Sequence, residues 1–291
     1  MRAPLSWLRD FAAIPESISA EAISDAFIRV GFEVEEIITQ GADLTGPLVV
    51  AKVLAIEELT GNKKPIRYVE LDCGEKQSRF VICGATNFAV GDLVVAALPG
   101  AVLPGNFAIS ARETYGKTSN GMICSSRELG LGEDHSGIIV FPANSLDVGA
   151  DAISALEIND VIFDIAVNPD RGYALSIRGL AREIAGALNV KFVDPVDALK
   201  KLEFKKSGNG VTPILEDGAS VFYLRTLSNY KADALTPLWM SRRIEKMGMR
   251  SISLAVDITN YVMLELGQKF NGQFVVLQLL NSVNKGIYPV F

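Results

Sequence analysis

Residues 61–68, Gly61-Asn62-Lys63-Lys64-Pro65-Ile66-Arg67-Tyr68, form the most chemically suggestive constellation in the chain. Lys63, Lys64 and Arg67 put three cations beside the ring of Tyr68, a set able to pair with phosphates and stack on a nucleobase. Arg112, Lys117 and Arg127, each in a later turn, are candidates to lengthen the same patch. The competing reading is a solvated turn whose charges serve solubility. Residues 40–150 carry nine Lys+Arg against twelve Asp+Glu, net −3, which favours the solvated turn. Residue types alone leave both readings open.

Other reactive arrangements are sparse. The sequence has no Walker loop, no H-E-x-x-H, no nucleophile elbow and no paired Cys/His ligand set. Its single histidine, His135, lies between acidic residues in a turn at 132–137. A general base there would need a nucleophile or second acid nearby, so a turn or capping role is expected. Cys73, Cys83 and Cys124 make no C-x-x-C and leave an odd thiol in any pairing, which fits buried free thiols in a reducing cytoplasm. A net charge of −6 and a pI near 5.0 exclude a surface that is basic all over, so any RNA contact must be local. The N-terminus lacks a signal-peptide run and no segment approaches a membrane span, so a soluble cytoplasmic protein is expected.

The elements that must position these residues follow from periodicity. Between residues 47 and 141, short β-branched runs at 49–56, 67–71, 79–82, 93–97 and 138–140 alternate with Gly- and Pro-bearing turns. The spacing predicts a small closed barrel of OB type, a fold that binds oligonucleotides on one face bordered by particular loops. The candidate cations then occupy the loop after the first barrel strand and later turns. On either side the texture is helical. Ile23, Ala26, Phe27 and Val30 make one apolar stripe, with Ser19 as cap and Gly31 as stop. Ile177, Leu180, Ala181, Ile184 and Leu188 make a second, ending at Asn189. Each stripe must be buried, and each is the natural partner of the other. The barrel is therefore expected as an insertion in a small domain. Residues 195–212, with Lys200, Lys201, Lys205 and Lys206, read as a solvated linker. Thr236-Pro237 reads as a helix start with Pro at the first position, Gly248 as its stop, and 258–266 as a further short helix.

Several longer motifs identify a resemblance. They are Pro4-Leu5-Ser6-Trp7-Leu8, Val81-Ile82-Cys83-Gly84-Ala85-Thr86-Asn87-Phe88, residues 97–105, residues 121–137, Asn168-Pro169-Asp170-Arg171, residues 176–183 and residues 251–268. In this order and spacing, the chain from Met1 to about Gln268 resembles bacterial phenylalanyl-tRNA synthetase beta subunits, of the actinobacterial kind. The resemblance implies an α+β, multidomain fold. A small discontinuous α/β domain (1–39 plus 151–194) would be interrupted by an OB-type β-barrel that binds tRNA (40–150). An incomplete α+β editing-like domain (211–268) would follow, then an off-family tail (269–291).

The same resemblance implies tRNA(Phe) as ligand and an alpha subunit as partner, in a heterotetramer of two alpha and two beta chains. Alpha would use ATP and Mg2+ to attach phenylalanine to the tRNA, while this chain binds tRNA and supports assembly without catalysis of its own. Two departures stand out. Related domains read His-Pro-Asn-Ala-Asp-Lys-Leu after the first strand, where this chain has Thr60-Gly61-Asn62-Lys63-Lys64-Pro65-Ile66. After Gln268 the family continues into a motif whose histidine belongs to the editing pocket, but here Lys269-Phe270-Asn271 follows. The expectation is a truncated subunit. Its rival is a free-standing tRNA-binding module, and a stand-alone editing hydrolase is disfavoured by the missing histidine.

Overall fold

The structure is a computed structural model and describes residues 1–59, 61, 65–132, 137–199, 231 and 233–267. The chain opens with a short strand, β1 (Arg2–Pro4), a brief helix, α1 (Leu5–Arg9), and α2 (Ala20–Arg29). The start of α2 is set by Ser19, whose hydroxyl accepts the amide of Ala22 at 3.2 Å. Ile23, Ala26 and Phe27 are buried, as the stripe requires. Strand β2 (Glu33–Gln40) leads into the barrel.

The barrel strands are β3 (Leu48–Glu58), β4 (Arg67–Asp72), β5 (Arg79–Cys83), β6 (Leu93–Ala97), β7 (Val102–Leu103), β8 (Phe107–Ala108), β9 (Arg112–Thr114), β10 (Lys117–Ser119), β11 (Met122–Ile123) and β12 (Val140–Phe141). The main sheet runs β11-β6-β3-β4-β5, with β12 also paired to β6, and every pairing is antiparallel. Its ends are drawn together by the Asn120 amide, which donates to the Phe80 carbonyl at 2.7 Å. The result is a nearly closed OB-like barrel. β6 is apolar throughout because both its faces are buried. Val94 and Ala96 join Val53, Val69, Leu71 and Val81 in one core, while Leu93, Val95 and Ala97 join Leu48, Val50 and Leu156 in another. The last strand falls at 140–141 rather than 138–140. The Asn87 side chain takes both the amide (3.1 Å) and the carbonyl (2.9 Å) of Ile138, removing that residue from the ladder.

After the barrel come α3 (Ala152–Ala155), β13 (Asp160–Ala166) and α4 (Ile177–Leu188). β13 lies between β1 and β2 in an antiparallel three-stranded sheet, so chain from both sides of the barrel shares one sheet. Trp7, Ile23, Phe27, Phe163, Leu180 and Ile184 are fully buried in a common core. The stripes of α2 and α4 thus meet the same apolar interior. Gly179 permits the close approach of α4 to the preceding turn, since a Cβ there would lie 2.1 Å from the Tyr173 carbonyl oxygen.

The remaining helices are α5 (Pro195–Leu199), α6 (Leu238–Lys246) and α7 (Leu254–Leu266). Pro237 caps α6 rather than starting it. α7 begins at Leu254, four residues before the expected position. Asp257, fully buried, accepts the Ile252 amide (2.9 Å) and the hydroxyls of Ser251 (2.6 Å) and Thr236 (2.5 Å), which ties the entering chain to the first turn. The expected linker lysines, His135 and the 269–291 tail lie outside the described residues. Among the described residues no helix is long and apolar enough to cross a membrane.

Candidate nucleic-acid interface

The alternation of β4 decides what each candidate side chain can do. Val69 and Leu71 point into the barrel core, so Tyr68 and Glu70 face outward. Tyr68 stacks on Phe80 of β5, with centroids 5.1 Å apart and planes at 18°. Lys117 of β10 places its Nζ 4.7 Å from the Tyr68 ring centre. The same ammonium is 2.8 Å from the carboxylate of Glu57, which sits opposite Tyr68 on β3. The Tyr68 hydroxyl donates to the Thr118 carbonyl at 3.4 Å, and Ser119 Oγ accepts the Ile82 amide at 3.0 Å. The β9–β10 hairpin is therefore laid against the β4–β5 face.

Arg67 points the other way. Its Nε donates to Glu58 at 2.8 Å, its Nη1 donates to the Phe88 carbonyl at 3.0 Å, and its guanidinium lies 5.1 Å from the Phe88 ring centre. With its side chain 16% exposed, Arg67 closes the end of the barrel core as much as it offers charge. Sequence places it next to Tyr68, but the strand's pleat sends the two to opposite faces.

Arg112 and Arg127 gather at a second point. The Arg112 guanidinium lies 5.6 Å from the Phe107 ring centre. Arg127 lines a cleft of about 390 Å³ with Leu103, Pro104, Phe107, Ser125 and Glu128. Glu128 is held there by the Ser125 amide (2.6 Å) and hydroxyl (2.7 Å). The candidate cations thus form two groups, Lys117 with Tyr68 and Arg112 with Arg127 around Phe107, joined by the single β9–β10 hairpin. Lys63 and Lys64 lie outside the described residues.

The thiols offer no nucleophile. Burial pushes Cys73 up to about 11 and raises Cys83 and Cys124 above the ordinary thiol value. Among the described residues no group of three or more His, Cys, Asp or Glu is placed to hold a metal ion. The described barrel surface presents ammonium and guanidinium groups over aromatic rings. Sequence reasoning passed over Phe80, Phe107 and Tyr115. For Phe80 the usable signal was its alternation with Val81, since an aromatic on the outer face of a strand invites a cross-strand partner.

Two families match. That of a tRNA binding domain covers residues 48–151, which are β3 through α3's cap, and that of the B3/4 domain covers residues 218–272. The phenylalanine–tRNA ligase beta subunit of Thermobifida fusca is 53% identical over 273 residues, 92% of this chain and 33% of that protein. Those of Streptomyces avermitilis and Mycobacterium leprae are 51% and 49% identical, each over 92% of this chain and 32% of the relative. Over 92% of its length the chain is similar to phenylalanine–tRNA ligase beta subunits. It spans about a third of the length of these beta subunits. Among solved structures, the CsaA chaperone protein from Picrophilus torridus overlays 35% of the chain and 87% of its own, at 9% identity and a TM-score of 0.27, too slight a likeness to argue from. In this beta-subunit relative, then, the matched tRNA binding domain and the barrel with its Tyr68–Lys117 face are the same stretch of chain.

Proposed function

We propose that the chain binds tRNA(Phe) through the outer β4–β5 face and the β9–β10 hairpin, as the tRNA-handling part of a phenylalanine–tRNA ligase beta subunit. The observation that carries this reading is the coincidence of the tRNA binding match, residues 48–151, with a barrel whose cations sit over aromatic rings. Lys117, Arg112, Arg127, Lys63 and Lys64 serve phosphates, and Arg67 and Tyr68 hold the face in shape. The proposed units are 1–39 with 151–194, 40–150, and 211–268. The first of these supports assembly with an alpha subunit in a heterotetramer of two alpha and two beta chains. ATP and Mg2+ belong to the alpha subunit's attachment of phenylalanine, and no step of that chemistry runs through the residues described above. The proposed setting is the cytoplasm, where tRNA is charged.

The competitors of a phosphate are already in place. Lys117 must exchange Glu57, and Arg67 would have to exchange Glu58. Binding is therefore expected to be weak and steeply salt-dependent, because each phosphate neutralised releases counterions. The test is a filter-binding titration of tRNA(Phe) with the whole chain at several salt concentrations. Log affinity should fall with log salt by about 0.7–0.9 per phosphate contact. Saturable binding with no salt slope, or no binding at low salt, would remove the barrel as a tRNA site.

A further inference from the structure

From the β9–β10 hairpin we infer that Tyr115, at its tip, is the residue that stacks on a nucleobase of the bound RNA, while Tyr68 is not. The inference rests on the proposed tRNA reading of the barrel and names the group that reads a base there. Tyr68 is already engaged twice, by the Phe80 ring at 5.1 Å and by the Lys117 ammonium at 4.7 Å. A base stacking there would compete with both partners. Phe107 is partly covered by the Arg112 guanidinium. Tyr115 is 54% exposed.

The backbone makes the choice of tyrosine informative. Thr114 pairs with Lys117, so Tyr115 and Gly116 are the two central residues of a tight hairpin turn, with φ of 56° and 72°. A turn with both central residues at positive φ calls for Asn, Asp or Gly. Of the other non-glycine residues described at positive φ, three are Asn (Asn106, Asn144 and Asn189) and one is Glu157. A bulky aromatic in this region is strained and persists only where something compensates. Tyr115 is more than half exposed, so burial among the described residues offers little compensation. Lys117 and Arg112 lie two and three residues away in sequence, one on each strand of the hairpin, so cations suited to a nucleic-acid backbone stand behind the tip. An exposed aromatic at the tip of a hairpin whose strands carry cations suits a single-stranded nucleotide better than an apolar protein groove.

The test uses the whole chain with tRNA(Phe) in filter binding, comparing the natural protein with Tyr115→Asn and Tyr115→Phe, and follows thermal unfolding of all three. Asn should weaken binding by about five- to a hundredfold, the range for loss of one base–aromatic stack. The salt slope should not change, since no phosphate contact is lost. Phe should bind within about twofold of the natural protein, because the π-face is what stacks. The Asn variant should melt no lower than the natural protein, because Asn suits the turn. Natural-strength binding by Tyr115→Asn overturns the inference and leaves the tRNA reading standing. Loss of binding together with a lowered melting temperature overturns it as well, by making the ring a structural element. If Tyr115→Asn loses affinity for an alpha subunit but not for tRNA, the tip is a protein contact and the inference fails. If the natural protein binds no tRNA, the barrel reading fails and takes this inference with it.

Discussion

Two regions of the molecule use the same kinds of residue to opposite ends. On the barrel face, Lys117, Glu57, Tyr68 and Phe80 bring together cation, carboxylate and aromatic rings in the open. Where α6 and α7 meet the first sheet, the same chemistry is sealed in. Lys246 lies 2.8 Å from Asp160, with side chains 5% and 3% exposed. Asp160 also accepts the Ser6 amide at 3.1 Å and hydroxyl at 2.5 Å. Beside it Arg243 lies 5.2 Å from the Trp7 ring centre and donates to the hydroxyl of Tyr261, whose ring stacks on Trp7, while its other end reaches the exposed Asp10 at 2.5 Å at the rim of the seam. An exposed pair gives up its partner cheaply, because water replaces what is lost. A buried one cannot. Burial, not residue type, separates a surface that can trade carboxylates for phosphates from a seam that fixes how two parts of the chain sit together.

The contrast is broken or sharpened most strongly at the seam. Lys246→Met removes the cation from a carboxylate that has no water to turn to, and the expected cost is about 3–5 kcal/mol. Urea unfolding monitored by tryptophan fluorescence, which reports on Trp7 and Trp239 beside the seam, measures it. Adding Asp160→Asn to the same chain should recover part of the loss, since no uncompensated charge remains. A single variant as stable as the natural protein would mean that the seam is as exchangeable as the barrel face.

A smaller effect is expected at alkaline pH. Burial, with Glu265 beside it, pushes the Tyr261 hydroxyl up to about 12 from an ordinary value of 10.0. Its folded value is raised, so its contribution to stability is fully present below about pH 10 and is lost as pH rises toward 12. Cys73, raised by burial to about 11 from 9.0, adds a loss that begins nearer pH 9. Thermal unfolding between pH 8 and pH 11 should show a falling melting temperature. Tyr261→Phe should flatten the upper part of that fall. An identical profile in the variant would show that the ring's hydroxyl is as well solvated in the seam as in the unfolded chain.

Much of this layout was legible in the sequence, and the exceptions have physical causes. The stripes of α2 and α4 were readable because a helix with one wet face must alternate every three to four residues. The barrel strands were readable because each core-facing run is short and bounded by turns. The start of α7 was hidden because it is set by Asp257 reaching Ser251, Ile252 and Thr236, contacts that no periodicity encodes. At the candidate site, adjacency misled. Arg67 and Tyr68 are neighbours in sequence and opposed in the pleat, and the partner of Lys117 is Glu57, sixty positions earlier. The tip of the β9–β10 hairpin was missed because only Gly116 carries a turn signal, and the tyrosine before it breaks the usual pattern.

The smallest expected change in stability, and the sharpest use of the comparison, is at Lys117. Its pair with Glu57 is exposed on both sides, so Lys117→Ala should cost no more than about 0–1 kcal/mol of folding stability. The melting temperature should stay close to that of the natural protein, in contrast to Lys246→Met. For tRNA binding the order reverses. Lys117→Ala should reduce the salt slope by about 0.7–0.9, the signature of one lost phosphate contact, whereas Lys246 touches only the seam. Glu57→Gln makes the complementary change, since it removes the carboxylate that a phosphate must displace and leaves the ammonium in place. It should raise tRNA affinity at low salt without altering unfolding, and the gain should shrink as salt screens the surface. Equal affinities for Lys117→Ala, Glu57→Gln and the natural protein would exclude this ammonium from the interface. The two arginines at Phe107 would then be the cations to test next.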